Sequence, residues 1–121
     1  MVCDRFADST FAYQGHGRGL PLAELRALHR IALGDFTPDL TLILDLPVEE
    51  GLRRAAQRPS AADRFERLDR AFHERLRQGF RAIAEADPER CAVIDASGDI
   101  ETVHRAIVAA VSDRLGISFA R

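Results

Sequence analysis

Thr41–Leu42–Ile43–Leu44–Asp45–Leu46, followed at once by Pro47, Glu49 and Glu50, is the stretch from which the fold reads. Its apolar residues run without alternation until Asp45, the pattern of a parallel strand covered on both faces. Pro47 suits the first position of a helix, and the two glutamates suit its positive first turn. Arg53, Arg54 and Arg58 fall toward the negative end, and Pro59 stops it. The same grammar returns at Cys91–Ala92–Val93–Ile94–Asp95. There Asp99 is the N-cap of a helix carrying Ile100, Val103, Ile107, Val111 and Leu115 on one stripe.

Between these two units lies a small polar loop, Ser60 to Asp63, and then a long helix with Phe65, Leu68, Phe72, Leu76 and Ile83 on one side. Upstream, Leu22, Leu25, Leu28 and Ala32 recur at helical spacing after Pro21, and Gly34 supplies a stop. Residues 9–19, with Gly15, Gly17 and Gly19, predict a short helix running into a turn. Val2–Cys3 reads as the end of a strand. The order is helix, helix, strand, helix, loop, helix, strand, helix. It predicts an α/β fold of parallel strands flanked by helices. In such sheets ligands collect beyond the carboxyl ends of the strands. Asp4 and the turns after Asp45 and Asp95 are expected there.

The chain has 121 residues, 46 % hydrophobic and 30 % charged, which suits one globular domain. No apolar run approaches the roughly 20 residues of a membrane span. The start lacks a basic segment leading into an apolar one, so neither a secretory leader nor a membrane partner is expected. A net charge of −2 supplies no global drive toward nucleic acid. All 17 basic residues are arginine. That bias reads either as genome composition or as a set of anion sites, since the planar fork matches phosphate oxygens. Cys3 and Cys91, both in apolar strand-like contexts, are expected as buried thiols in a reducing cytoplasm. His16, His29, His73 and His104 show no metal-ligand spacing and read as surface or helix-packing residues. No Gly-x-Ser-x-Gly elbow occurs.

Two constellations carry candidate chemistry. Asp4–Arg5–Phe6 precedes Ser9–Thr10–Phe11–Ala12–Tyr13–Gln14–Gly15. An arginine at a strand end, oriented by a carboxylate, can grip phosphate bidentately, with a hydroxyl, an aromatic ring and an amide one or two turns on. The same residues also read as a strand-end salt bridge and an amphipathic helix start. The second constellation is Arg53, Arg54, Arg58, Arg64, Arg67 and Arg70 around the polar loop. Asp63–Arg67, Glu66–Arg70 and Arg70–Glu74 have the spacing of surface ion pairs. Arg58 and Arg64 flank the loop and suit a lid closing over transferring phosphates.

Asp4-Arg5-Phe6-Ala7-Asp8-Ser9-Thr10-Phe11-Ala12-Tyr13-Gln14-Gly15, then Gly17-Arg18-Gly19, resembles the Asp-Arg-aromatic signature of bacterial thymidylate kinases. Pro38–Leu46 and Ala62–Glu66 match the same family in order, and the resemblance runs over essentially all 121 residues. It implies a P-loop α/β fold that transfers the ATP γ-phosphoryl group to dTMP with Mg²⁺, usually as a homodimer. Carried over by motif, Arg5 holds the dTMP phosphate, and Asp4 either orients it or helps to place the magnesium shell. Thr10 and Gln14 lie near thymine, and Tyr13 packs where a ribose 2′-hydroxyl would go. Arg58 and Arg64 are lid arginines over the ATP phosphates, with catalytic and ATP-binding roles. Asp63 and Phe65 approach the bound monophosphate. Phe6 stands where the family often has tyrosine or histidine.

The family's Gly-x-x-x-x-Gly-Lys-Ser/Thr loop has no counterpart, because the chain contains no lysine. Residues 1–121 are therefore expected to be the C-terminal portion of a single thymidylate kinase domain, lacking the N-terminal strands, with a lid loop at about 58–64. Three functions are compared below. The chain is a thymidylate kinase by family, inactive by itself. It is a non-catalytic dimerising or nucleotide-sensing remnant. Or it is a fragment of another nucleoside or nucleotide kinase.

Overall fold

A computed structural model describes residues 1–57 and 69–119. The elements are α1 (Ala7–Thr10), which runs on into a π-helical segment (Phe11–Gly17), then α2 (Leu22–Leu33), β1 (Thr41–Asp45) and α3 (Val48–Ala56). After these come α4 (Arg70–Ala86), β2 (Cys91–Asp95) and α5 (Ile100–Leu115). β1 and β2 pair in parallel, Thr41 opposite Cys91 through Asp45 opposite Asp95. Among the described residues they are the whole sheet.

Local chemistry explains the boundaries. Pro47 sits at the N-cap of α3, one position earlier than its sequence suggests. Asp69 and Asp99 cap α4 and α5, their carboxylates accepting from the Phe72 and Thr102 amides. Phe65 and Leu68, expected on the α4 stripe, lie outside the described residues, as do the Pro59 stop and the loop at 58–64. The remaining stripe does what its spacing implies. Phe72 and Leu76 bury against Ala12 of the π-helical segment, with Tyr13, Phe80 and Ile83 packed around them. Farther along α4, Ala84, Phe80 and Ile83 meet Ile43 and Cys91 on one face of the sheet. Ala92 and Ile94, pointing the opposite way along β2, are also buried, and α5 packs on that strand.

Five expectations are corrected. Val2–Cys3 is not a strand: Met1 and Val2 are fully exposed, because no strand of the described sheet lies alongside them. Asp4 and Arg5 consequently do not sit at a strand end. Cys3 is exposed for the same reason, whereas Cys91 is buried as expected. Leu44 and Val93 are about half exposed, so the strands are not covered throughout on both faces. Finally, with the expected Asp63–Arg67 and Glu66–Arg70 pairs outside the described residues, Arg70 pairs not with Glu74 but with Glu49 of α3, at 2.6 Å. The α3–α4 approach brings that carboxylate closer than sequence spacing alone reveals.

Glycine decides two close approaches. A Cβ on Gly17 would lie 2.9 Å from the Phe72 ring, and one on Gly79 would lie 2.6 Å from the His16 Cβ. The π-helical segment and α4 can meet at this distance only because those side chains are absent.

Candidate functional site

Of the N-terminal candidate residues, Tyr13 and Gln14 lie on the π-helical segment, Thr10 ends α1 just before it, and Asp4 and Arg5 precede α1. Arg5 is exposed and holds a left-handed backbone, φ +63°, the one described non-glycine residue to do so. That conformation costs about 1–2 kcal/mol for a residue bearing a Cβ. It accompanies a guanidinium placed 5.3 Å from the centre of the Tyr13 ring. Arg5 is in no ion pair among the described residues, and nor is Asp4, which is exposed. The strand-end salt bridge is therefore absent, and Asp4 does not orient Arg5 through a direct contact.

Tyr13 is half-buried, its ring 6.3 Å from Phe72 and edge-on to Phe80 at 6.4 Å. Gln14 is half-buried, and Thr10, the last residue of α1, is exposed. The π-type winding that carries Tyr13 and Gln14 is a feature the sequence reading missed. Such segments are uncommon and concentrate at functional sites. Arg58, Asp63, Arg64 and Phe65, the lid half of the candidate site, lie outside the described residues.

Several charged groups that sequence spacing did not mark turn out to build the framework. Arg90 donates to both Asp8 carboxylate oxygens at 2.7 and 3.1 Å, to Thr41 Oγ1 at 2.7 Å and to Asp87 at 2.7 Å. It joins α1, the start of β1 and the loop before β2. Arg77 grips Asp45 through two bonds of 2.9 and 3.1 Å. That contact holds the Asp45 carboxyl below the ordinary carboxylate range. Asp45, at the carboxyl end of β1, is thus bound by α4. Arg54 donates to the Ala96, Ser97 and Gly98 carbonyls, clamping the turn after β2 onto α3. Glu50 accepts from Arg53 and Arg54, which lower its pKa to about 2. The only signal in the sequence for these long-range partners was the surplus of arginine itself.

Between α3, α4 and β1 lies a cavity of about 240 Å³ lined mostly by apolar side chains. His73 faces it, with a buried Nε2 that finds no hydrogen-bond partner. Among the described residues no group of three His, Cys, Asp or Glu side chains gathers to hold a metal ion. No described helix is long and apolar enough to cross a membrane.

The described residues thus form a parallel α/β unit with three guanidiniums laid on aromatic rings. The chain belongs to the thymidylate kinase family, whose family model matches residues 1–107. It is 55 % identical over 118 residues to a thymidylate kinase of Nitrobacter hamburgensis, covering 95 % of this chain and 51 % of that protein. To a thymidylate kinase of Caulobacter vibrioides it is 53 % identical over 117 residues, covering 97 % of this chain and 56 % of the relative. The crystal structure of thymidylate kinase from Ehrlichia chaffeensis superposes with a TM-score of 0.65 at 33 % identity, over 92 % of this chain and 48 % of that one. The fold is thus a partial α/β kinase fold. The chain spans about half the length of the curated relatives it matches.

Proposed function

We propose that residues 1–121 form the monophosphate-binding and lid portion of a thymidylate kinase domain, one that transfers the ATP γ-phosphoryl group to dTMP. The observation that carries this reading is the unpaired Arg5 guanidinium over the Tyr13 ring. A phosphate held by Arg5 would leave its sugar and base to run along Tyr13, Thr10 and Gln14. Arg5 binds and orients the dTMP phosphate. Tyr13 fills the space a 2′-hydroxyl would need, favouring the deoxy sugar. Thr10 and Gln14 face thymine. Asp63 and Phe65 border the monophosphate, while Arg58 and Arg64 close over the transferring phosphates and exclude water.

ATP and Mg²⁺ belong to the family reading. With no lysine in the chain, a Gly-x-x-x-x-Gly-Lys loop is impossible. Phosphoryl transfer needs backbone amides and a lysine around the β- and γ-phosphates, so the chain by itself binds acceptor without turnover. A cytoplasmic homodimer completes the reading. Exposed Leu28 and Ile31 on α2, with Phe36 beyond, supply an apolar face suited to a second copy.

The test is calorimetric titration of the purified chain with dTMP and with thymidine, beside a coupled assay with ATP, Mg²⁺ and dTMP. Expected are no turnover and a dTMP affinity that falls in Arg5→Ala while thymidine binding does not. Equal dTMP affinity in both proteins sinks the assignment of Arg5. Turnover that follows the chain through purification overturns its inactivity. Failure to bind any nucleotide, with dimerisation intact, favours the non-catalytic remnant.

A further inference from the structure

Three described arginines lie on aromatic rings, and all three use one pair of touching rings. Arg5 lies over Tyr13, whereas Arg18 and Arg75 both lie over Phe72, at 5.8 and 5.7 Å from its centre. Arg18 and Arg75 play no part in the acceptor site described above. The first follows the π-helical segment and the second is on α4, so two separate elements deliver a positive charge to one ring.

Their placement is built by the backbone. Gly17 approaches the Phe72 ring so closely that any Cβ there would collide with it, and the next residue, Arg18, has its guanidinium carbon 5.8 Å from the ring centre. Arg75 Nε–H donates to the Gly17 carbonyl at 3.1 Å, fixing the plane of its guanidinium and leaving both terminal nitrogens unassigned. Arg53, Arg54, Arg70, Arg77 and Arg90 all reach carboxylates. Among the described residues Arg18 and Arg75 reach none, and both are exposed. Asp69, at the start of the same helix, accepts from the Phe72 amide. Both guanidinium carbons lie within about 6 Å of the Phe72 ring centre, and a tetrahedral dianion with several acceptor oxygens is a partner of complementary charge and geometry.

We infer that Arg18 and Arg75, seated on Phe72, form a second phosphate site that takes a phosphoryl dianion. The dianion balances two guanidiniums, and phosphate oxygens match their forks. Such a group comes either as free inorganic phosphate or as a phosphate carried on a nucleotide. The inference stands apart from the role given to Arg5.

The chain, labelled with ¹⁵N, is titrated with inorganic phosphate and separately with dTMP at constant ionic strength, with chloride as the control anion. The arginine Nε–H and the Gly17 and Arg18 amide signals are followed. Phosphate should move the Arg75 Nε–H signal, and its Kd should rise at least about tenfold in Arg18→Gln/Arg75→Gln. Arg5→Ala should change that Kd less than about threefold. The Arg18→Lys/Arg75→Lys protein keeps the charges and should bind between the two extremes, which separates lost charge from lost fold. A response to inorganic phosphate assigns the site to the free anion, and a response to dTMP alone assigns it to nucleotide-borne phosphate. Wild-type phosphate affinity in the double glutamine protein, or equal shifts with chloride, overturns the inference. Neither result touches the dTMP response to Arg5→Ala, so this site and the acceptor site fail separately.

Discussion

Arg90 and Asp8 meet through two parallel hydrogen bonds, at 2.7 and 3.1 Å, across most of the length of the chain. Both side chains are only 16 % exposed, and the same guanidinium holds Thr41 Oγ1 and Asp87. The pair therefore moors α1, and with it the π-helical segment carrying Tyr13, to the sheet.

Removing that mooring should be expensive. Arg90→Ala leaves Asp8 with no partner in a poorly solvated place, and should lower stability by about 2–3 kcal/mol. Arg90→Lys should recover little, because one ammonium cannot reach three acceptors in the guanidinium's plane. Urea unfolding monitored by circular dichroism measures the change. Limited proteolysis should show the segment before Ala12 released first.

Acid should loosen the α4–β1 contact. Arg77 holds the Asp45 carboxyl below its ordinary value of 3.8. A carboxyl whose folded pKa is depressed contributes stability that is complete above the unfolded value and disappears as pH falls through the folded one. The Asp45 contribution is therefore whole above about pH 5 and is lost below about pH 4. Asp45→Asn should lower the urea midpoint near neutrality and flatten its decline below about pH 4. An unchanged acid limb in Asp45→Asn would remove the pair from the explanation.

Gly79→Ala should destabilise even though alanine is the better helix former by about 1 kcal/mol. The added methyl would come 2.6 Å from His16 Cβ, and overpacking of this kind costs about 1–3 kcal/mol. His16→Ala should relieve the clash only in part, because its own Cβ is the nearest atom. His16→Gly should relieve most of it. A double-mutant cycle on thermal midpoints reads the difference.

Arg5→Ala should weaken dTMP binding by about 10- to 100-fold, the loss of one charge-assisted phosphate contact of about 1.5–3 kcal/mol. Removing the left-handed arginine should leave the melting temperature nearly unchanged, since Arg5 is exposed. Tyr13→Ala should narrow the preference for dTMP over its ribose analogue. Titrations of both nucleotides against each variant distinguish the two roles.

Taken alone, the sequence determined the elements and their order. Pro47 and Asp99 lie where helices begin. The unbroken run Leu42–Ile43–Leu44 and its partner Ala92–Val93–Ile94 are the parallel strands. These readings succeed because capping, proline geometry and hydrophobic periodicity act within a few residues of chain. The Asp-Arg motif also holds Arg5 and Tyr13, whose side chains lie together in the structure. Tertiary structure decided everything that depends on a distant neighbour. Val2–Cys3 has a strand's composition, but a strand exists only where another strand pairs with it, and the described sheet has none alongside. Arg54, Arg75, Arg77 and Arg90 look alike in sequence. Arg54 clamps a turn and pairs with Glu50, Arg75 holds a glycine carbonyl, and Arg77 and Arg90 bind distant carboxylates, because a long flexible side chain takes its role from whatever the fold brings within about 3 Å. Gly17 and Gly79 show their purpose only once α4 lies against the π-helical segment, where a missing Cβ becomes the space into which Phe72 and His16 fit.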